Sequence, residues 1–182
     1  MTVPTLMANA NKQIYVTGLK KAYNQLQHAV AMQKAIEPHE YGLKFTEYLK
    51  LKPVTIKDQD KYWVDKNATL AQSKDGMIYF DYSYDAISEY GSSTFGVDIN
   101  GIKGPNKYGR DIFYFTYYGG KLLPEGSQIF ADYFLENYNS TYIPYWRTSN
   151  KCTTEKVKNA QQPYPEPLGC TGRVLEEGKM NY

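Results

Sequence analysis

Along 4–36 the apolar positions Leu6, Ala10, Ile14, Leu19, Ala22, Tyr23, Leu26, Ala29, Val30 and Met32 recur mostly three or four residues apart, with Lys12, Lys20, Asn24, Gln27 and Lys34 between them. The spacing predicts one long amphipathic helix with a buried face. At ~1.5 Å per residue it would run on the order of 50 Å. That is farther than a compact domain of this size is expected to cover, so part of the helix is expected to project. Gly18 costs about 1 kcal/mol against Ala in a helix interior, so packing of the apolar stripe has to hold the helix there. Pro38 ends it, because the residue before a proline is pushed out of the helical region.

Beyond Pro38 the period changes. Leu43, Phe45, Tyr48 and Leu49 predict a second short helix over 39–50, stopped by Pro53, and 54–67 reads as a connecting loop. Strands are predicted at 69–72 and 77–82, joined through Asp75-Gly76 as a hairpin, and after a loop at 83–93 another strand at 94–100. DIFYFTYY at 111–118 is the strongest strand signal, and Gly119-Gly120 turns it into a partner at 121–123, with Pro124 and Gly126 closing the sheet. In 128–145 the run Ile129, Phe130, Tyr133, Phe134 and Tyr138 fits a short helix, while the later Tyr and Ile residues suit a loop packed on the sheet. The stretch 169–178 reads as a short helix burying Val174 and Leu175. No internal repeat is present. The predicted class is α+β in one domain, 1–182: a long N-terminal helix at 4–36 packed on an antiparallel sheet in 69–126, with a disulfide-closed C-terminal loop and tail at 150–182.

Composition narrows the chemistry. The 182 residues carry a net charge of +2 with Lys and Arg scattered, so no nucleic-acid partner is expected. Two His (His28 and His39) and two Cys are a thin inventory for nucleophilic or metal catalysis, and no enzyme is expected. His28 sits beside the apolar stripe and reads as packed or solvated. Aromatic residues make up 15%, with 19 Tyr, which suits strands that are buried on one face and wet on the other. The Tyr-rich stretches 79–90, 108–118 and 133–145 are read as sheet packing, or alternatively as a sugar-stacking platform. Asn67-Ala68-Thr69 and Asn139-Ser140-Thr141 match the glycosylation pattern, but in a chain this rich in Asn and Thr they carry no weight.

Cys152 and Cys170 flank a polar, Pro-rich segment without apolar anchors. A disulfide closing it would contribute roughly 3 kcal/mol by loop entropy. A redox or metal pair would want closer spacing or a nearby His. A disulfide implies export, yet no signal peptide and no apolar run near the ~20 residues of a membrane span is present. The expectation is an N-terminus that has been removed.

The loop DINGIKGPNKYGRD places Asp98, Asn100, Asn106 and Asp111 among Gly101, Gly104 and Gly109. Two readings stand: Asp and Asn capping their own backbone in a tight connection, or oxygen ligands converging on calcium. The spacing fails the EF-hand pattern.

The wording at both ends and in the middle resembles one family. TVPTLMANANKQIYVTGLKKAYNQLQHAV resembles the stretch after the membrane segment of type IV pilin-like proteins and type II secretion pseudopilins, which carry a prepilin-type cleavage and methylation signal. FGVDINGIKGPNKYGRDIF and GCTGRVLEEGKMNY are similar to the same group. The likeness covers about the first 35 residues, the block near 75–126 and the last dozen.

The resemblance implies a structural subunit of a pilus-like or pseudopilus filament. Its partners would be other pilin or pseudopilin subunits, and, for the full-length precursor, the inner-membrane assembly machinery and a prepilin peptidase. The precursor would lie in the bacterial inner membrane and the product in a periplasmic or extracellular filament. The leader, the cleavage-site glycine and the apolar first helix half of the family are absent from this sequence, so a truncated soluble part is expected. On this reading the face carrying Leu6, Ala10 and Ile14 stays exposed until assembly. Some secretion pseudopilins bind calcium in sheet-side loops, without a residue-by-residue match to 98–111. The rival reading is an extracellular carbohydrate-binding or adhesive module using its Tyr-rich surface, which would bury its own helix along its length. A DNA-uptake pilin would need a clustered basic stripe.

Overall fold

The structure, a computed structural model, describes residues 3–38, 42–55, 69–81, 93–104, 106–138, 152 and 169–181. Helix α1 (Val3–Ile36) is the spine. Val16, Leu19, Ala22, Leu26, Ala29, Val30 and Gln33 are buried along one side, so three- and four-residue spacing becomes a packed stripe. Gly18 is not a weak point in the helix. A Cβ there would lie 2.2 Å from Ile99 Cγ2, so the missing side chain is what lets the loop after the fourth strand close on the helix.

Six strands follow in an antiparallel meander in which each pairs with the next: β1 (Lys52–Pro53), β2 (Leu70–Gln72), β3 (Ile78–Asp81), β4 (Ser93–Asp98), β5 (Ile112–Tyr118) and β6 (Lys121–Pro124). Period-two alternation sorts their side chains. Tyr79, Phe95, Val97, Phe113, Phe115, Tyr117 and Leu122 face α1 and form the main core with it. Leu70, Ile78, Phe80, Ile112 and Tyr114 form a second cluster on the opposite face. Both faces of β5 are therefore buried, which is why DIFYFTYY reads as an unbroken apolar run. A row of rings ties helix to sheet: Tyr23 stacks on Phe115 at 5.9 Å, Phe115 on Phe95 at 5.9 Å, and Phe95 on Phe45 at 5.6 Å.

The second helix predicted over 39–50 is one turn, α2 (Phe45–Tyr48), and 39–41 lie outside the described residues. The reason is Gln33. Its buried side chain donates from Nε2 to Gly42 O (2.6 Å) and accepts Lys44 N–H at Oε1 (2.8 Å), holding 42–44 off the helical path. Pro53 does not merely stop a helix; it lies in edge strand β1, where a residue without an N–H is tolerated. The sheet thus begins at Lys52, ahead of the predicted 69–126 region. The predicted 94–100 strand is β4, ending at Asp98, because the chain turns into a 3₁₀ segment at Gly101–Lys103. Helices α3 (Gln128–Tyr138) and α4 (Cys170–Glu177) complete the fold, and 139–145 lies outside the described residues. The Cys152–Cys170 disulfide is formed, with both cysteines fully buried.

Candidate functional site

On α1 the buried stripe starts at Tyr15 and Val16. Just before it Asn9, Ala10, Asn11, Gln13 and Ile14 are exposed, Ile14 by 61%. The backbone at Leu6 is helical, while its side chain lies outside the described residues. This end of the helix is not bare. Lys12 Nζ donates to Met180 O at 3.1 Å, so the C-terminal tail lies against it, and Asn9, Lys12 and Gln13 with Lys179, Met180 and Asn181 line an open cleft. Among the described residues no helix is long and apolar enough to cross a membrane.

In the 98–111 loop three of the four candidate side chains, Asp98, Asn100 and Asp111, bond the loop's own backbone. Asp98 Oδ1 accepts Asn100 N–H (3.2 Å), and Asn100 Nδ2 donates to Gly104 O (2.5 Å), closing one turn. Asp111 accepts Asn106 N–H (2.9 Å) and Lys107 N–H (2.6 Å), closing the next. Asn106 itself sits at φ 50°, a left-handed conformation that Asn tolerates better than most residues. Both Asp side chains are buried, and Ile99 N–H donates to Asp111 O, tying the two turns together. Gly101, at φ 65°, lets the loop approach the β2–β3 turn: a Cβ there would be 2.4 Å from Gly76 O. Among the described residues no group of three or more His, Cys, Asp or Glu gathers as a metal site. The hydrogen bonds of Asp98, Asn100 and Asp111 cap the connection.

The C-terminal seat is the part that periodicity alone did not reveal. Helix α4 docks where β6 ends: Thr171 Oγ1 accepts Tyr114 N–H from β5 (2.8 Å), and Gly172 N–H donates to Glu125 O (2.8 Å). The approach is so close that a Cβ on Gly172 would fall 2.1 Å from Ser127 N. Arg173 Nη1 donates to Cys152 O (3.2 Å) beside the disulfide. Val174 is buried as predicted and Leu175 half-buried. The small residues of GCTGRV were the available signal. The buried Glu125 carboxylate accepts the Thr116 hydroxyl at 2.5 Å on the face of the sheet away from α1.

The tyrosines of 82–90 and 142–145 lie outside the described residues; the others of the Tyr-rich stretches go mostly into the core. Tyr79, Tyr114 and Tyr117 are buried, Tyr23, Tyr48, Tyr108 and Tyr118 are half-buried, and none is exposed among the described residues. Burial pushes the Tyr79 hydroxyl far above the ordinary phenol range, and it donates to Gln25 Oε1 of α1 at 2.9 Å. His28 is exposed; His39, Asn67 and Asn139 lie outside the described residues. A second cleft, between α1, Leu49–Leu51 and the β2–β3 turn, holds Lys21, Lys50 and Lys74 above a floor including Leu51 and Tyr79.

Comparison of the chain with protein-family models, with curated proteins and with solved structures found no match.

Proposed function

We propose that this chain is a structural, non-catalytic subunit of a type IV pilus-like or type II secretion pseudopilus filament. The observation that carries the reading is the division of α1. Its C-terminal part is packed on an antiparallel sheet through Val16, Leu19, Ala22, Leu26 and Ala29, while Ala10 and Ile14 are presented to solvent. A free module is expected to bury its own helix along its length, whereas a subunit leaves this face for its neighbours to cover. The helix, the sheet and the disulfide-pinned C-terminal segment stand in the order the family resemblance implies, and the partners and the inner-membrane-to-filament route follow from the same resemblance. The carbohydrate-binding alternative needs an exposed Tyr surface; the described tyrosines are buried or half-buried, and those of 82–90 and 142–145 lie outside the described residues.

The deciding test is the source gene upstream of the Thr2 codon. The subunit reading expects a short basic leader, a cleavage-site Gly, a Glu a few residues on and about 20 apolar residues. An ordinary cleaved signal peptide or another domain in that place would overturn it.

A further inference from the structure

Two surfaces of the molecule differ in charge. Of the lysines on helix α1, which has no Asp or Glu from Val3 to Ile36, Lys21 lines the cleft on the β1–β3 side, while Lys34 lies at Gly120 in the β5–β6 turn. Helix α3, QIFADYFLENY, carries Asp132, which accepts from Gln128 Nε2, and Glu136, and has no Lys, Arg or His of its own, although Lys121 of β6 lies over its Tyr133 ring. The two flanks are also differently shaped. On the β1–β3 side, the cleft of about 320 Å³ beside α1 sets Lys21, Lys50 and Lys74 around an apolar floor that includes Leu49, Leu51 and Tyr79. Among the described residues of the lining, Asp75 is the one carboxylate facing these ammonium groups, and it is engaged by Lys21. On the β6 side, α3 turns Ile129, Asp132, Leu135 and Glu136 outward, with Ile129 58% and Leu135 47% exposed. Ile129, Asp132 and Glu136 follow at intervals of three and four and so share one face of the helix.

A concave surface with ammonium groups beside Leu49 and Leu51 matches a convex one with carboxylates beside aliphatic side chains. The two cannot meet within one copy, because the cleft lies at the β1–β3 end of the strand order and α3 packs on β6 at the other. We propose that the Lys21–Lys50–Lys74 cleft of one copy receives the outward face of α3 from a second copy. Because donor and acceptor surfaces differ, the contact is heterologous and leaves a free cleft and a free α3 after each addition, so copies add until a ring closes or, where the rotation does not close, run on as a filament. The edges of the sheet do not compete for this role: β1 is two residues long and contains Pro53, and β6 is flanked by α1 and α3. The contact rests on the subunit reading and names the surfaces through which subunits meet outside the helical core.

Sedimentation velocity over a concentration series tests it, with two charge-reversed variants of the whole chain, Lys50→Glu with Lys74→Glu and Asp132→Lys with Glu136→Lys. All four side chains are exposed. Circular dichroism and melting curves check folding, and Ile129→Ser with Leu135→Ser, which leaves every charge in place, is a third variant. Wild-type chains are expected to self-associate, more weakly as salt rises. Each variant should raise the dissociation constant by about tenfold or more. An equimolar mixture of the two reversed variants should regain association to within about threefold of wild type, since each cleft then again faces an oppositely charged helix. Wild-type association in the reversed variants, or no recovery on mixing, overturns the contact while leaving the subunit reading standing. A chain that stays monomeric throughout overturns the contact, and the upstream gene then decides the subunit reading on its own.

Discussion

Gly96→Ala is the sharpest single test of how the sheet is assembled. In β4, Gly96 pairs with Phe80 on β3 and Tyr114 on β5, and the Phe80 ring lies across it. A Cβ at Gly96 would fall 2.2 Å from Phe80 Cζ, 2.4 Å from Cε2 and 2.9 Å from Cε1. The ring cannot step aside cheaply, since Phe80 is fully buried and meets Tyr114 edge-on at 5.8 Å. Forcing it off its rotamer costs roughly 1–3 kcal/mol. Loss of the edge-to-face pair adds roughly 0.5–1.5 kcal/mol, and replacing a strand glycine returns roughly 0.5–1 kcal/mol. The net expectation is about 2 kcal/mol of destabilisation, a melting temperature lower by about 4–8 °C in a chain of this size. Urea unfolding followed by circular dichroism reads it. Gly42→Ala is the control: nothing lies within 4 Å of the added atom, and stability should hold or rise by about 0.4–1 kcal/mol. Adding Phe80→Leu to Gly96→Ala should relieve the clash with the new methyl group, giving a coupling energy of about 1 kcal/mol in a double-mutant cycle. A Gly96→Ala protein as stable as wild type, or additive effects in the cycle, would refute the close ring-over-glycine packing.

The other expectations follow from named contacts. Cys152→Ser with Cys170→Ser frees a loop with a sequence separation of 18 and should cost about 3 kcal/mol, matched by the effect of a reductant on wild type. Gln33→Leu keeps the volume but strips partners from Gly42 O and Lys44 N–H, and should cost about 2–4 kcal/mol in urea unfolding. For Asp75, burial pushes the carboxyl up, but hydrogen bonds from Lys21 and Ser73 outweigh it and hold it below the ordinary carboxylate value. A depressed folded pKa stabilises above the unfolded value and is lost as pH falls through the folded one. The stability gap between wild type and Asp75→Asn should therefore be flat above about pH 5 and shrink below about pH 4, and a gap that widens on acidification would contradict the pairing.

Periodicity exposed what local chemistry dictates. The α1 stripe, the two-sided apolar run of β5 and the Gly119-Gly120 hairpin are all set by neighbours a few residues apart, so they are legible in one dimension. What was hidden depends on partners far along the chain. The second helix shrank to one turn because Gln33 captures the backbone nine and eleven positions on. Gly18 looked like a defect and is the contact point for Ile99. The α4 seat rests on a Thr171–Tyr114 bond spanning 57 residues, and the lysine cleft gathers side chains from three separate segments. The 98–111 loop was legible as two alternatives because Asp and Asn oxygens serve a turn and a cation equally well in sequence. Only the backbone N–H groups of Asn100, Asn106 and Lys107, aimed at those oxygens, show the capping use.

The same distinction applies within α1. Ile14 continues the three-and-four spacing of Leu6 and Ala10, and in sequence it merges with the stripe that runs on from Leu19. In the structure its neighbours Tyr15 and Val16 are buried and Ile14 is not. On a helix turning about 100° per residue, Ile14 lines up with Gly18, Lys21 and Gln25, not with Leu19, Ala22 and Leu26. Gly18 receives Ile99, while Lys21 reaches Asp75 and Gln25 reaches Tyr79, so this side of α1 meets the sheet through loop ends and polar tips. The helix therefore carries two apolar faces that change over near Ile14: one packed against its own sheet, the other running toward the N-terminus with Ala10 and Ile14 in solvent. One face builds the domain, and the second is the one that the proposed subunit role would cover with another chain.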